Sequence, residues 1–483
     1  MAGIKAYGAY IPFYRLSRAE ISRAWGGFAM PGEKAVACSD EDSITLGIEA
    51  ARDCLRDIDP QSVDGLFFAT TTSPYEERMG ASIMATVLDL REDIRAMDLN
   101  GSLRVGTTAV SAALDAVQSG SLNNVLVVAS DCRLGAPSGD VEMFSGDGAA
   151  ALLISKESVI AEVKGSHAIS DEFSGVWRAD SDVFVRGWET RMVTQKGYAE
   201  VLPRTVTALM EKCGVRPETL SRAVYNSTND PRSHTAIAPQ MGLDKSKLQD
   251  SMLMTIGNTG AAQAMMMLVA TLEEAKPGDN ILFANYGNGA DAFLLQVTPD
   301  IEKLTPRRGI KKHMESKLIL ANYQTYLQWR GLVPMESARR PEQAPTSISV
   351  LRRHRREILG LYGVRCLNCG TPQYSGAGLF EAPLPIRFCV NCDTQDQFEP
   401  FRFADEKGVI FTYCKDALAP DPNPPNMACV VDFDCGGRVL LGLTDRDPDQ
   451  IEVGMTVEMA FKKLYFDRGV HNYFWKARPV RVR

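Results

Sequence analysis

Apolar positions along the first 299 residues follow two rhythms: stretches with helical spacing, and short unbroken apolar runs closed by glycine or aspartate. Short buried runs between amphipathic stretches are the pattern of an α/β domain. One pair of runs repeats. Asn124-Val-Leu-Val-Val-Ala-Ser130, followed by Gly146-Asp-Gly-Ala-Ala-Ala-Leu-Leu-Ile154, is answered by Asp279-Asn-Ile-Leu-Phe-Ala-Asn-Tyr-Gly-Asn-Gly-Ala-Asp-Ala-Phe-Leu-Leu295. Each reads as a buried strand, a Gly-bearing loop and a second buried strand. The echo predicts two similar halves, residues 1–160 and 161–299, about a pseudo-twofold axis.

Between Thr305 and Arg356 the texture changes to basic clusters, Pro334, Pro341 and Pro345, and one helical stretch, Leu318 to Trp329. This predicts a linker with a docking helix over residues 300–360. After Leu361 come two CxxC pairs, and then short β-prone runs at Gly408–Tyr413, Ala428–Asp432 and Arg438–Leu443. Runs of that length separated by turn residues predict a small barrel over 399–483, behind a metal ribbon over 361–398. Ala417–Asn426 holds too many prolines for a central strand and reads as a surface loop.

Composition narrows the function classes. The 483 residues are 45% hydrophobic and 23% charged with a net charge of −7, a globular composition whose charge does not suggest nucleic acid. Met1 to Tyr14 carries charge and Pro12, and no run of 18 apolar residues occurs, so a cytoplasmic protein with no membrane span is expected. The basic runs Arg307, Arg308, Lys311, Lys312 and Arg352, Arg353, Arg355, Arg356 read as solvated faces or linker ends, or as contacts to the phosphates of a nucleotide-bearing ligand. Of 11 cysteines, Cys54, Cys132 and Cys213 lie among apolar residues and read as core. Cys366-Leu-Asn-Cys369 and Cys389-Val-Asn-Cys392 are separated by 19 residues, 370–388, a spacing at which two knuckles close on one tetrahedral Zn²⁺. Gly370 and Asp393 suit the turn after each pair. Four thiolates leave no open position for water, so the zinc is expected to be structural.

Two resemblances cover nearly the whole chain. Gly3–Pro12, Phe144-Ser-Gly-Asp-Gly-Ala149, Gly257-Asn-Thr-Gly260 and Lys276–Gly289 resemble the thiolase superfamily, in the branch of 3-hydroxy-3-methylglutaryl-CoA synthase and ketoacyl-ACP synthase III. The segment from about 318 to 483, with Asp445-Arg-Asp-Pro-Asp449 and Gly454-Met-Thr-Val-Glu458, resembles the zinc-ribbon/OB-fold family that accompanies thiolases and synthases. The resemblance implies a duplicated five-layered α-β-α-β-α domain followed by a zinc ribbon and an OB-fold barrel, and a CoA thioester as substrate. It also implies a homodimer, or a hetero-oligomer with a thiolase-superfamily partner.

The pattern breaks at the chemistry. Enzymes of this branch attack a thioester with a cysteine at a buried helix start, where the helix N-terminus lowers the thiol's pKa. With Asp98 and Gly106-Thr107 in register, that position is Leu103, and a one-residue slip offers Ser102. The family's histidine falls on Asn226 and the synthase's glutamate on Thr71, while Asn258 is kept. Two readings follow. In one, Asn226 and Asn258 donate to a thioester carbonyl and stabilise an enolate for aldol or retro-aldol chemistry without an acyl-enzyme, with Tyr75, Asp230 or His234 as base. In the other, the domain binds or channels acyl-CoA beside an active partner. A third class, a nucleic-acid module, would use Phe461, Lys462, Lys463, Tyr465, Phe466, Arg468, Tyr473 and Trp475; barrel core is the competing reading for these aromatics. Asn258 also stands where it would cap the helix that follows, and Met265–Met267 read as core.

Overall fold

The computed structural model describes residues 2–336, 345–375 and 385–481; Met1, Pro341 and part of the span between the two CxxC pairs lie outside them. The chain divides into two compact units. The first comprises Met1–Ala37, Asp42–Ala85 and Leu90–Tyr323; the second comprises Cys38–Glu41, Thr86–Asp89 and Gln324–Arg483.

The first unit is built on nine strands: β1 (Gly3–Tyr10), β2 (Gly65–Ala69), β3 (Arg95–Leu99), β4 (Val125–Asp131), β5 (Gly148–Ser155), β6 (Ala161–Ser170), β7 (Arg222–Tyr225), β8 (Asn280–Tyr286) and β9 (Gly289–Val297). Their order is β7-β8-β9-β6-β1-β5-β4-β2-β3. β1 and β6 pair antiparallel at the centre through Gly3 with Glu162 and Ile4 with Ala161. Outward from that pair, each side runs antiparallel, antiparallel, then parallel. The repeated runs are therefore the hairpins β4–β5 and β8–β9, in matching places on either side. They differ in their connection, which is 132–147 in the first half and only Gly287–Asn288 in the second.

Four helices, α1 (Ser43–Cys54), α2 (Val105–Gln118), α3 (Ala199–Cys213) and α4 (Gln263–Leu272), complete the layers. α1 packs on β1, β4 and β5, and a reciprocal capping box between Asp42 and Thr45 starts it. α2 and α4 pack on each other, and α4 touches β5 of one half and β7 and β8 of the other. α3 covers β6, β8 and β9 and stops at Gly214, whose φ of 64° suits glycine. The layers run helix, sheet, helix, sheet, helix. Met265, Met266 and Met267 are buried in the middle layer, as their run predicts.

Several local readings are corrected. Cys54 is buried, and burial raises its thiol to about 12, but Cys132 and Cys213 are only half-buried. Arg307 is not solvated; it is buried beside Cys54 and Asp53. The helical stretch Leu318–Trp329 is a helix only over Tyr323–Trp329, because Leu318–Ile319 pairs parallel with Tyr14–Arg15 as a short strand. No helix among the described residues is long and apolar enough to cross a membrane.

In the second unit, β10 (Tyr362–Cys366), β11 (Pro372–Gln373) and β12 (Phe398–Arg402) form a three-stranded sheet carrying the cysteines. β13 (Lys407–Asp416), β14 (Asn426–Phe433), β15 (Arg438–Gly442), β16 (Thr456–Asp467) and β17 (Val470–Pro479) follow in the order β15-β14-β13-β16-β17. A bridge from Leu443 to Ala477 closes the ends into a barrel. Alternate residues Met427, Cys429, Val431 and Phe433 point inward, the period of two expected of a strand with one buried face. Phe461, Tyr473 and Trp475 are barrel interior. Lys462 is also fully buried, its Nζ 3.0 Å from Asp445, with Arg478 and Arg481 on the other carboxylate oxygen at 3.6 and 3.9 Å. Burial raises the Asp445 carboxyl, but Lys462, Arg481 and Arg478 outweigh it and hold the group well below the usual range.

Candidate functional site

The segment 100–104 joins β3 to α2 and sets Leu103 at the helix start. Ser102 Oγ donates to the Gly287 carbonyl at 2.7 Å and accepts from the Arg104 N–H at 3.3 Å, so it shapes the turn. Gly287 must lack a side chain, because a Cβ there would lie 2.7 Å from Arg104 N and 2.9 Å from Ser102 Oγ. Arg104 pairs with Asp291 on β9 at 3.1 Å, and Thr107 donates to the same carboxylate at 2.8 Å. Burial raises the Asp291 carboxyl, and Arg104 opposes the shift.

Asn226 follows β7. Its amide donates to the Tyr286 carbonyl at 3.0 Å and accepts the Tyr286 N–H at 2.8 Å, so a side chain continues the β7–β8 ladder where the backbone leaves it. One N–H of the amide is left for the cavity. Asn258 follows Gly257, where φ is 99° and a Cβ would come 2.7 Å from Gly146 N. Its main chain exchanges hydrogen bonds with Phe144 and Gly146 at 2.7 and 3.0 Å. Its Oδ1 accepts the Gly260 N–H at 3.0 Å in a local turn, so it does not cap the helix, whose N-cap is Ala262, and its Nδ2 donates to Asn229 at 3.1 Å and reaches Ser227 O at 3.5 Å.

Leu103, Asn226 and Asn258 line one cavity of about 310 Å³, and Asn229 joins them. Phe173, Val176, Val185, Trp188 and Val193 form the apolar wall. The connection 132–147 adds Arg133 and Asp140. Arg133 is 3% exposed, and burial lowers its pKa, opposed by Asp131. Asp140 is exposed and accepts from Thr190 Oγ1 at 2.8 Å.

The other expected residues lie outside this lining. Thr71 is tied to Asp131 through its N–H at 2.7 Å and its hydroxyl at 2.9 Å. Tyr75 stacks under Arg78, whose Nη1 donates to its hydroxyl at 2.7 Å. Asp230 accepts from the Arg232 N–H at 2.9 Å and shapes a turn. His234 is buried against Tyr225, ring centroids 4.6 Å apart, and burial pulls its pKa down to about 4. The geometry thus gathers Leu103, Asn226 and Asn258, and leaves the three base candidates elsewhere. Sequence reading missed Asn229, Arg133 and Asp140. The unequal length of the two hairpin connections was the available signal for the last two.

The sulfurs of Cys366, Cys369, Cys389 and Cys392 lie within 4.8 Å of one another. Both knuckles have one geometry. The Gly370 and Asp393 N–H groups return to the carbonyls of Cys366 and Cys389 at 2.9 and 3.0 Å, with φ of 74° and 57°. Thr371 and Thr394 hydroxyls sit 3.1 Å from the sulfurs of Cys369 and Cys392. Two matched turns presenting four soft ligands fit a zinc ribbon.

Residues 210–296 match the family described as 3-oxoacyl-[acyl-carrier-protein] synthase III, C terminal, and residues 402–462 match ChsH2, C-terminal OB-fold domain. The hydroxymethylglutaryl-CoA synthase of Pyrococcus furiosus is 34% identical over 309 residues, 62% of this chain and 88% of that protein. That of Methanocaldococcus jannaschii is 30% identical over 347 residues, 69% of this chain and 100% of that protein. The chain belongs to the hydroxymethylglutaryl-CoA synthase family. Solved structures agree on the fold. An HMG-CoA synthase complexed with CoA aligns at a TM-score of 0.63, with 20% identity over 72% of this chain and 94% of that one. The 3-oxoacyl-[acyl-carrier-protein] synthase III of Aquifex aeolicus aligns at 0.55, with 22% identity over 61% and 100%. Within the hydroxymethylglutaryl-CoA synthase family, this chain is a thiolase-like domain fused to an OB-fold.

Proposed function

We propose that the chain makes or breaks a C–C bond of a CoA thioester through an enolate, with no acyl-enzyme, and that its four ribbon cysteines hold one structural Zn²⁺. The carrying observation is that Leu103 shares a cavity with Asn226 and Asn258. A leucine forms no thioester, yet the amides remain to donate to a thioester oxygen. In the cleavage direction a base removes the proton of a 3-hydroxyl and the C2–C3 bond breaks. Its electron pair becomes the thioester enolate, a carbonyl compound leaves, and C2 takes a proton. The spare N–H of Asn226, and the Asn258 N–H that reaches Ser227 only at 3.5 Å, suit the enolate oxygen. Asp140 is the carboxylate among the described lining residues and is the group available as base.

A second reading, an acyl-CoA-binding partner of an active thiolase or synthase, draws support from the exposure of Asp140 and its bond to Thr190. The two are separated by incubating the purified protein with 3-hydroxyacyl-CoA and 3-oxoacyl-CoA esters, alone and with a thiolase, and following products by mass spectrometry. Turnover by the protein alone, lost in Asn258→Ala, is expected. Turnover that needs the thiolase and survives that substitution would establish the partner reading instead.

A further inference from the structure

The two ribbon knuckles read Cys366-Leu-Asn-Cys-Gly-Thr371 and Cys389-Val-Asn-Cys-Asp-Thr394, so each carries an asparagine before its second cysteine and a threonine two residues after it. The asparagines serve the opposite knuckle. Asn368 Nδ2 donates to Thr394 Oγ1 at 3.0 Å, and Thr394 Oγ1 lies 3.1 Å from Cys392 Sγ, which Asn368 Nδ2 also reaches at 3.5 Å. Asn391 Nδ2 donates to Thr371 Oγ1 at 3.2 Å, and Thr371 Oγ1 lies 3.1 Å from Cys369 Sγ. The sulfurs approach across the knuckles as well, Cys366 to Cys392 at 3.7 Å and Cys369 to Cys389 at 3.5 Å. A metal-bound cysteine is a thiolate without a proton, so each threonine hydroxyl is the donor to its sulfur. A hydroxyl has one proton, free to rotate, and two lone pairs. An amide N–H on one lone pair turns that proton toward the sulfur and polarises the hydroxyl, which strengthens what it donates.

We infer that Asn368 and Asn391 are positioning residues of the ribbon, each acting through a threonine on a thiolate of the other knuckle. Asn368 acts on Cys392, and Asn391 acts on Cys369. Hydrogen bonds to a thiolate draw off electron density and make it a poorer nucleophile. The two relays fall on the sulfurs that need this: Cys369 is exposed and Cys392 half-buried, whereas Cys366 and Cys389 are buried. Crossing also leaves neither knuckle complete without the other. The inference rests on the structural-zinc reading and adds to it what keeps the accessible thiolates unreactive.

The test is alkylation of the zinc-loaded full-length protein by iodoacetamide, followed cysteine by cysteine through peptide mass spectrometry, with the exposed Cys414 as internal reference. Asn368→Ala should raise the rate at Cys392 by about three- to ten-fold, the equivalent of one hydrogen bond, and leave Cys369 at its wild-type rate. Asn391→Ala should do the reverse. Asn368→Asp and Asn391→Asp keep the side-chain shape but accept the threonine proton instead of donating, and should give the same crossed pattern. In a Thr371→Val background, Asn391→Ala should add nothing further at Cys369, because its route is already cut. A rise confined to the variant's own knuckle, an equal rise at all four ribbon cysteines, or no change overturns the inference and leaves the zinc reading standing. Full additivity with Thr371→Val overturns it as well. Wild-type protein that holds no zinc with its cysteines reduced removes the zinc reading, and this inference with it.

Discussion

Replacing Leu103 by cysteine returns a thiol to the start of α2, where the helix N-terminus favours the thiolate. With Asn226 at the neighbouring position no imidazole assists, so acylation by acetyl-CoA should be slow. Intact-mass measurement should show a single acetyl adduct on Leu103→Cys and none at this site in the wild type. An adduct on unaltered protein would show that the nucleophile has been misplaced. Asn226 predicts a different result, because its amide does two jobs. Asn226→Ala leaves the Tyr286 N–H and carbonyl without their partner, and unmatched buried groups cost about 1–3 kcal/mol. Urea unfolding should show that loss beside any loss of activity, and because Asn258→Ala likewise leaves the buried Gly260 N–H unpaired, the same measurement should accompany that variant. The four cysteines were readable from the sequence because a CxxC turn carries its geometry in its spacing. Tyr75, Asp230 and His234 were chosen for nearness in sequence, and the cavity is assembled instead from chain segments far apart, which no spacing records.

At the scale of elements, the hairpins β4–β5 and β8–β9 were visible because a strand buried on both faces must be an unbroken apolar run. Leu318–Trp329 was misread because the apolar spacing of a two-residue strand followed by a turn mimics one helical face. The central pairing of β1 with β6 left no pattern in the sequence, yet it depends on one residue. A Cβ on Gly3 would collide with the Ala161 carbonyl, so Gly3→Val should prevent soluble expression, whereas Gly27→Val, where φ is not left-handed and a Cβ meets only ordinary contacts from 3.5 Å outward, should express. The ribbon makes the reverse case, since its knuckle turns are local. One zinc per chain is expected by native mass spectrometry. Gly370 and Asp393 occupy equivalent left-handed positions, so Asp393→Gly should keep the metal, and Gly370→Val should lose affinity for it. Protein that holds no zinc with all four cysteines reduced would remove the structural-metal reading.

For the molecule as a whole, two buried groups of the first unit pull its stability in opposite directions with pH. Burial lowers His234 from its ordinary 6.5 to about 4, with Asp250 opposing. Between those values the unfolded chain binds a proton that the folded chain refuses, so stability rises with pH. Burial raises Glu273 from 4.5 to about 7, against the N–H groups of Lys311 and Ile310 and the charge of Lys311, with Asp53 adding to the rise. There the folded chain keeps a proton that the unfolded chain has lost, so the contribution is full below 4.5 and fades as pH rises through about 7. Each slope is at most one proton, about 1.4 kcal/mol per pH unit. From pH 4.5 to 6.5 they oppose, and these two groups together should contribute almost no net slope. Single substitutions separate them. His234→Phe keeps the stack on Tyr225 and should leave stability falling as pH rises; Glu273→Gln should leave it rising. Urea unfolding read through exchange protection of peptides from 280–297 confines the measurement to the first unit. Identical slopes for the two variants would mean that neither group titrates as its burial requires.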